Sequence, residues 1–169
     1  MASHDGDRAV ALSRQLAQTH QELLHQVDEI RNGLGRRKLN DDVLLTHCLA
    51  FCASLTAHHK GEDDGMFSQL LRERPDLTTT VAKLVEDHEM IASILSRVRE
   101  LAERAAGLHG PALETIGREL DGLAAIMESH FSYEERAISE ALDNGFPDTG
   151  WPGMVFGFGL GRRPTGQRR

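Results

Sequence analysis

Two pairs of histidine and glutamate with the same spacing are the residues of this sequence best suited to chemistry. His58 is followed four residues later by Glu62, and His130 is followed four residues later by Glu134. On an α-helix, residues four apart lie one turn from each other on the same face, so each pair presents an imidazole and a carboxylate to one point in space. One such pair arises easily by chance, whereas two copies at equivalent positions of two helices indicate a metal site.

The composition indicates that helices carry these pairs. The chain has 169 residues, which suits one domain with a core of its own. Aromatic residues make up only 5% of it, and Val, Ile, Thr and aromatic residues do not cluster in the short alternating runs typical of strands. Leu, Ala, Glu and Arg dominate, and these residues favour helix. The sequence therefore predicts an all-α fold.

Apolar residues recur at steps of three and four in four segments, as expected for amphipathic helices. The predicted helices run from about residue 7 to 34, from about 40 to 74, from about 77 to 105 and from about 111 to 141. Turn residues such as Gly33, Pro75 and Gly110 mark short connections between them. Short connections leave consecutive helices antiparallel, so residues 1–145 are predicted to form an up-down-up-down four-helix bundle, followed by a Gly-rich and then basic tail over 146–169.

Six polar residues occupy stripe positions that should face the core of this bundle. Burying such groups without partners costs on the order of several kcal/mol each. At about 1.5 Å per residue, the predicted helix lengths place the four histidines in one layer, with both glutamates one turn lower and able to bridge. The six residues are His20, His58, Glu62, His88, His130 and Glu134.

A cage of four imidazoles and two carboxylates without thiolates suits a pair of first-row metal ions, of which iron fits best. Manganese or a mixed pair fits the same donors. A single zinc ion needs only three or four of these groups and leaves the others buried without a partner. The alternative is a metal-free bundle whose inward histidines hydrogen-bond the carboxylates.

The order of these residues resembles that of the hemerythrin-like, or HHE cation-binding, proteins. It looks closer to the bacterial single-domain members, and to the iron- and oxygen-sensing domain of a mammalian ubiquitin-ligase subunit, than to the oxygen carriers. The family pattern has a His on the first helix, HxxxE on the second, a His on the third and HxxxE on the fourth, which this chain matches over roughly residues 7–145. The resemblance implies two iron ions with bridging carboxylates and an oxo or hydroxo bridge. It also implies a small ligand such as dioxygen, hydrogen peroxide or nitric oxide.

The third helix departs from the pattern of the oxygen-carrying members of that family. Those proteins have two histidines four apart on this helix, whereas Leu84 and Ala92 flank His88 at that spacing here. They also have an Asp five residues after the fourth-helix His, where this chain has Glu134 after four. With one imidazole fewer, more coordination positions are predicted to be open to water, peroxide or a substrate, which argues against reversible oxygen storage.

Polar neighbours of these residues could support a metal centre. His59 lies about 100° around the helix axis from His58, which predicts a place on the helix surface or beside the ligand set, with metal coordination as the alternative. Tyr133 could donate a hydrogen bond to a bridging oxygen, relay an electron or simply pack. The remaining candidates for orienting the ligand imidazoles are Asp87, Glu89 and Glu128.

Two classes of function fit such a centre. It could bind dioxygen, peroxide or nitric oxide for sensing, scavenging or catalase-like dismutation, or it could be an oxidase or oxygenase acting on a small organic substrate. A wide apolar pocket beside the cage would favour the oxidase, and a tight one would favour small oxidants. The residues expected to line such a pocket are Leu55, Ile91, Leu123 and Met127. A metal-free helical interaction module is a more distant third hypothesis.

The charge and hydropathy of the chain narrow its partners and location. A formal charge of −7 argues against nucleic acid as a partner. No stretch predicts a membrane span, and the first 30 residues lack the apolar run of a signal peptide. Cys48 and Cys52 lie one turn apart in an apolar run, as small buried side chains do in a reducing compartment, so a cytoplasmic location is predicted. The apolar segment 151–160 of the tail could contact a protein partner or mediate self-association.

Overall fold

The computed structural model describes residues 3–36, 41–104 and 111–144, with the side chains of 12–34, 42–104, 113–142 and 144. Every regular element in these ranges is helical, which confirms the predicted all-α fold. The predicted tail over 146–169 lies outside the described residues. The elements in chain order are α1 (Ser3–Arg36), α2 (Asp41–Gly61), a π-helical turn (Glu62–Met66), α3 (Phe67–Glu73), a 3-10 turn (Pro75–Leu77), α4 (Thr78–Arg104) and α5 (Pro111–Asp143).

These elements make four long helices, because α2, the π-helical turn and α3 follow one another without a break. The second long helix ends where the sequence predicts. Arg74 leaves the helical conformation, with φ −133° and ψ 75°, because the ring of Pro75 disfavours the α region for the residue before it. α1 continues to Arg36, beyond its predicted end at residue 34, and Leu34 packs against the core from this last turn.

The π-helical turn is a feature of the second long helix that the sequence analysis did not predict. In a regular α-helix, four residues advance by about 400°, so every step of four moves a side chain about 40° around the axis. The stripe from His58 to Leu70 contains three consecutive steps of four, yet its members are all buried. The π-helical turn winds less per residue and so returns Met66 and Leu70 to the core face.

Each long helix packs against two neighbours. α1 contacts α2 and α5, and α4 contacts the same two helices, so the four long helices close into a bundle. None of the described helices is both long and apolar enough to cross a membrane.

Two apolar clusters make up the core, and along every long helix the candidate ligands lie between them. We call the two clusters the upper and the lower cluster. α1, for example, passes from Leu16 in the lower cluster through His20 to Leu23 in the upper cluster. Burial of a large apolar side chain stabilises the fold by roughly 1.5–3 kcal/mol. The buried polar side chains between the two clusters do not make this contribution. The upper cluster includes Leu23, Val27, Cys48, Cys52, Leu55, Ile91, Leu123, Met127 and Phe131, and the lower cluster includes Leu16, Met66, Phe67, Leu70, Leu84, Ile138 and Leu142.

Candidate metal centre

The six polar residues of the predicted stripes all lie in the interior of the bundle. Their exposed fractions range from 0% to 4%, so water does not solvate them. The structure brings the six side chains close together, in the layer between the upper and lower clusters. They are His20, His58, Glu62, His88, His130 and Glu134.

His20 of α1 and His58 of α2 form the first imidazole pair, with perpendicular rings whose centroids are 5.2 Å apart. The Oε1 atom of Glu62 lies 2.9 Å from Nε2 of His58, one turn earlier in the same helix. One ligand atom from each of these three residues lies within 4.8 Å of the other two, a spacing that one metal ion could join. Phe131 stacks on the ring of His20 at 3.9 Å and holds its orientation.

His88 of α4 and His130 of α5 form the second imidazole pair, and an aspartate holds each ring. Nδ1 of His88 lies 2.7 Å from Asp63, and Nδ1 of His130 lies 3.1 Å from Asp87. A carboxylate only accepts hydrogen bonds, so both Nδ1 atoms donate. In a neutral imidazole this leaves a lone pair on Nε2, and the two Nε2 atoms are 3.0 Å apart. Two lone pairs at this distance repel each other unless a proton or a metal ion lies between them.

The distance between these Nε2 atoms fits coordination of one ion. Two metal–imidazole bonds of about 2.1 Å that meet at a right angle place their nitrogen atoms about 3 Å apart. If an ion is bound there, the aspartates would act as carboxylate partners behind its imidazoles, an arrangement that fixes the ring orientation and raises the basicity of Nε2.

Each buried glutamate faces both imidazole pairs. Oε1 of Glu62 is 2.9 Å from Nε2 of His58 in the first pair and 3.9 Å from Nε2 of His88 in the second. Oε2 of Glu134 is 3.7 Å from Nε2 of the α1 histidine in the first pair and 3.3 Å from Nε2 of His130 in the second. One oxygen of each carboxylate therefore lies within 4 Å of a ring nitrogen in both imidazole pairs.

Several buried polar atoms of this centre lack hydrogen-bond partners, and burial shifts the pKa values of its ionisable groups. Burial raises the pKa of Glu62 to about 7, and burial together with the neighbouring Glu62 raises the pKa of Glu134 to about 7. Burial lowers the pKa of His20 to about 3, so its imidazole stays neutral, the form that binds metals. Neither ring nitrogen of His20 and none of the four oxygens of the two glutamates has a hydrogen-bond partner. Bound cations would compensate the glutamate oxygens and one ring nitrogen of His20.

The polar neighbours have different positions in the structure. Asp87 contacts the imidazole of His130, a candidate ligand, whereas the side chains of Glu89 and Glu128 are exposed. Tyr133 is half-buried against the lower cluster, with Nζ of Lys83 5.7 Å from its ring centroid. His59 is buried and stacks on a ring of the second imidazole pair.

Asp63 is the functional residue that sequence reasoning missed. It lies in the π-helical turn and crosses to α4 to bind the ring of His88. No spacing rule within one helix marks such a residue, because its partner belongs to another helix. Its position directly after Glu62 was the one available signal.

Two surface depressions reach the second imidazole pair. A depression of 430 Å³ in the groove between α4 and α5 has His130 in its wall, and one of 240 Å³ in the groove between α2 and α4 has His88 in its wall. The first also contains Lys83, Tyr133 and Arg136, and the second also contains His59, Asp63, Asp64 and Glu89. A larger depression of 630 Å³ between α1 and α2 is lined by none of the six candidate ligands.

Asp63→Asn and Asp87→Asn are each expected to weaken metal binding about 10- to 100-fold without changing the number of ions bound, because they remove the charge behind a ligand imidazole. A competition titration with a chromophoric chelator measures the Kd. Asp76→Asn is the matched control, since that aspartate pairs with Arg74 on the surface. An unchanged Kd in both variants would show that the aspartates do not act on the centre.

Comparison of the sequence with known protein families agrees with this geometry. The family model of the hemerythrin HHE cation-binding domain matches residues 11–142, a range that contains all six candidate ligands. Searches of curated proteins and of solved structures give no match. The matched range is well over half of the chain, and cation binding is the property for which the domain is described. The chain therefore belongs to the hemerythrin HHE cation-binding domain family.

Proposed function

We propose that this protein is a non-haem di-iron protein that binds dioxygen, peroxide or nitric oxide inside its helical bundle. One observation carries the proposal: each of two buried glutamates lies within 4 Å of a ring nitrogen of both imidazole pairs. Two ions, one at each pair with the glutamates between them, would use all of these buried donors. A single ion would leave one imidazole pair without compensation.

The donor set supports iron as the metal. It consists of imidazole nitrogen and carboxylate oxygen, and the thiols of Cys48 and Cys52 lie in the upper apolar cluster. Such donors suit first-row metals, and pairs of carboxylates inside helix bundles suit di-iron centres in particular. A manganese pair or a mixed pair is the alternative that the same donors support. A single four-coordinate zinc ion would leave the remaining buried donors without a partner.

An up-down-up-down antiparallel order of the four long helices is part of the proposal. Along α1 and α4 the chain meets the lower cluster before the upper one, and along α2–α3 and α5 it meets the upper cluster first. Antiparallel neighbours produce this alternation and keep the ligands at one level. The residues that mark it are Leu16 and Leu23, Leu55 and Leu70, Leu84 and Ile91, and Met127 and Ile138.

The side chains of the centre have separate roles in this proposal. Glu62 and Glu134 hold the two metal positions together, and their charge offsets part of the charge of the cations. Asp63 and Asp87 keep Nε2 of the second imidazole pair directed at one metal position. The apolar clusters exclude bulk water on both sides, which strengthens electrostatic interactions in the layer. When bound, the iron pair would supply electrons and open coordination positions for a small oxidant.

Packing around the layer favours a small ligand over a bulky substrate. The four residues expected to line a wide apolar pocket are wholly buried in the upper cluster, where side chains fill the space. They are Leu55, Ile91, Leu123 and Met127. In a metal-free interaction module, the third hypothesis, only the neighbouring imidazoles could compensate the buried glutamate oxygens.

Oxidation of a small organic substrate is the second candidate function, and one observation favours it. The 430 Å³ depression beside His130 falls within the roughly 300–1,000 Å³ typical of ligand pockets. Tyr133 lines it and could contact a substrate there.

A cytoplasmic location and a contact role for the tail over 146–169 complete the proposal. Cys48 and Cys52 are buried free thiols one turn apart, which suits a reducing compartment. The apolar and then basic composition of the tail supports a contact with a protein partner or a second copy of the chain.

Reaction of the iron-loaded protein with oxidants tests the proposal. After anaerobic addition of two Fe²⁺ per chain, air or hydrogen peroxide should produce the near-ultraviolet and visible absorption of a ferric pair. Oxygen gas released over many turnovers of peroxide would identify dismutation, and a single stoichiometric change would identify binding or sensing. His25→Ala is the control, because this histidine is exposed on α1 and pairs with Glu29. Bound iron whose spectrum responds to neither oxidant would contradict the proposal.

A further inference from the structure

We infer that His59 is a metal ligand, which gives the second imidazole pair a third ring nitrogen. The inference rests on the proposed two-metal centre and changes its composition. Regular helix geometry predicts that His59 lies beside the ligand set, about 100° around the axis from His58. The contacts of the His59 ring instead place this residue among the candidate metal ligands.

The ring of His59 is enclosed by the second imidazole pair. Only 5% of the residue is exposed, although it lies in the last turn of α2. It stacks on His88 with centroids 3.8 Å apart and an interplanar angle of 11°, and it stands nearly perpendicular to His130 at 5.4 Å. One ligand atom from each of the three histidines lies within 4.8 Å of the other two, so one ion could bind all three once the stacked His59 ring rotates to direct its nitrogen at the ion.

The Nε2 atom of His59 has no hydrogen-bond partner. Burial of an unpaired ring nitrogen is costly, and a phenylalanine at this position would provide the same stacking without that cost. The polar atom therefore needs a partner that ring packing does not supply, and a cation between the three rings is such a partner.

The surroundings of His88 explain why α2 would provide this ligand. At the positions four residues before and after His88, α4 has Leu84, which is buried in the lower cluster, and Ala92, which is exposed. Neither can coordinate a metal. His58 and His59 point in different directions around one helix, so adjacent residues can serve neighbouring metal positions.

The depression between α2 and α4 gives a cation access to this position. His59 and His88 both line it, and the exposed carboxylates of Asp64 and Glu89 outnumber the exposed Lys60 there. Acidic side chains around an opening raise the local concentration of cations. An ion could therefore reach the three rings from solvent.

Anaerobic titration with Co²⁺ tests the assignment, because the visible absorption of Co²⁺ reports its ligands and needs no turnover. The wild-type chain should bind two Co²⁺. His59→Phe, which keeps an aromatic ring in the stack, and His59→Ala should bind the first ion normally. Each should bind the second on the order of 100-fold or more weakly, beyond the roughly 10- to 100-fold effect of removing an outer hydrogen-bond partner. His25→Ala should match the wild type.

Two further readouts separate coordination from packing. Proton NMR of the Co²⁺ form should lose one paramagnetically shifted imidazole N–H signal in the His59→Phe variant at saturating Co²⁺. Free imidazole at low concentration should restore second-ion binding in His59→Ala, where the space is open, but not in His59→Phe. Two tightly bound ions and an unchanged set of shifted signals in His59→Phe would overturn the inference. A wild-type chain that binds fewer than two ions would instead overturn the proposed two-metal centre itself.

Discussion

His58→Ala and Glu134→Ala are each expected to abolish stoichiometric binding of two metal ions. Both side chains are fully buried, and each lies within 4 Å of another candidate ligand, so alanine would leave the centre without one of its donors. Bound metal stabilises only the folded chain, by about 4 kcal/mol when free metal is 1,000 times Kd. For a chain of this size, loss of that contribution lowers Tm by roughly 8–16 °C in the presence of metal.

Metal analysis after desalting and thermal unfolding followed by circular dichroism measure both effects. His25→Ala should retain the metal and the Tm of the wild type, since its side chain is 72% exposed and distant from the layer. If His58→Ala and Glu134→Ala keep two ions per chain, the six residues are not the ligand set.

Glu62→Gln/Glu134→Gln is expected to stabilise the metal-free protein at pH 8 while it removes metal binding. Glutamine has nearly the same volume, carries no charge, and can donate hydrogen bonds to the lone pairs of neighbouring rings such as that of His58. The double variant therefore removes the free-energy cost of burying two charged carboxylates, which the wild-type chain would retain for metal binding.

The pKa shifts determine the pH dependence of this gain. The folded-state pKa of about 7 for both glutamates lies above the ordinary value of 4.5, so the folded wild-type chain holds more protons than the unfolded chain between these values. The stability that this provides is present below pH 4.5 and is lost as the pH rises to about 7. The free energy of unfolding of the double variant should therefore exceed that of the wild type by an amount that grows over this interval, to on the order of a few kcal/mol at pH 8.

Thermal unfolding with a chelator present, at pH 5 and at pH 8, measures the difference. Contributions from ionisable groups that do not interact with these glutamates occur in both proteins and cancel in the comparison. A double variant that is less stable than the wild type at pH 8, or a difference that does not depend on pH, would show that the glutamates are already compensated in the metal-free chain.

The sequence predicted much of this fold because each helix repeats its exposure pattern every 3.6 residues. In α4, the predicted stripe through Val81, Leu84, His88 and Ile91 is buried. A polar residue within such a stripe is conspicuous, so the burial of all six candidate ligands could be expected without coordinates. Proline and glycine signals set most of the helix limits to within a few residues.

Contacts that cross between helices could not be predicted in the same way. Two contacts depend on how the second long helix and α4 are rotated against each other. They are the hydrogen bond between Asp63 and His88 and the stacking of His59 on the His88 ring. A rotation of one residue, about 100°, would direct either side chain elsewhere. The π-helical turn adds a local change in winding, for which the stripe with three steps of four was the sole indication.

The number of metal ions per chain tests the central claim most directly. The purified chain is treated with excess Fe²⁺ under anaerobic conditions, desalted and analysed for iron and protein, with circular dichroism as the check of fold. The proposed centre predicts about two iron ions per folded chain, together with a rise in Tm over the metal-free protein. A folded chain that retains no iron, and takes up no manganese in the same experiment, would contradict it.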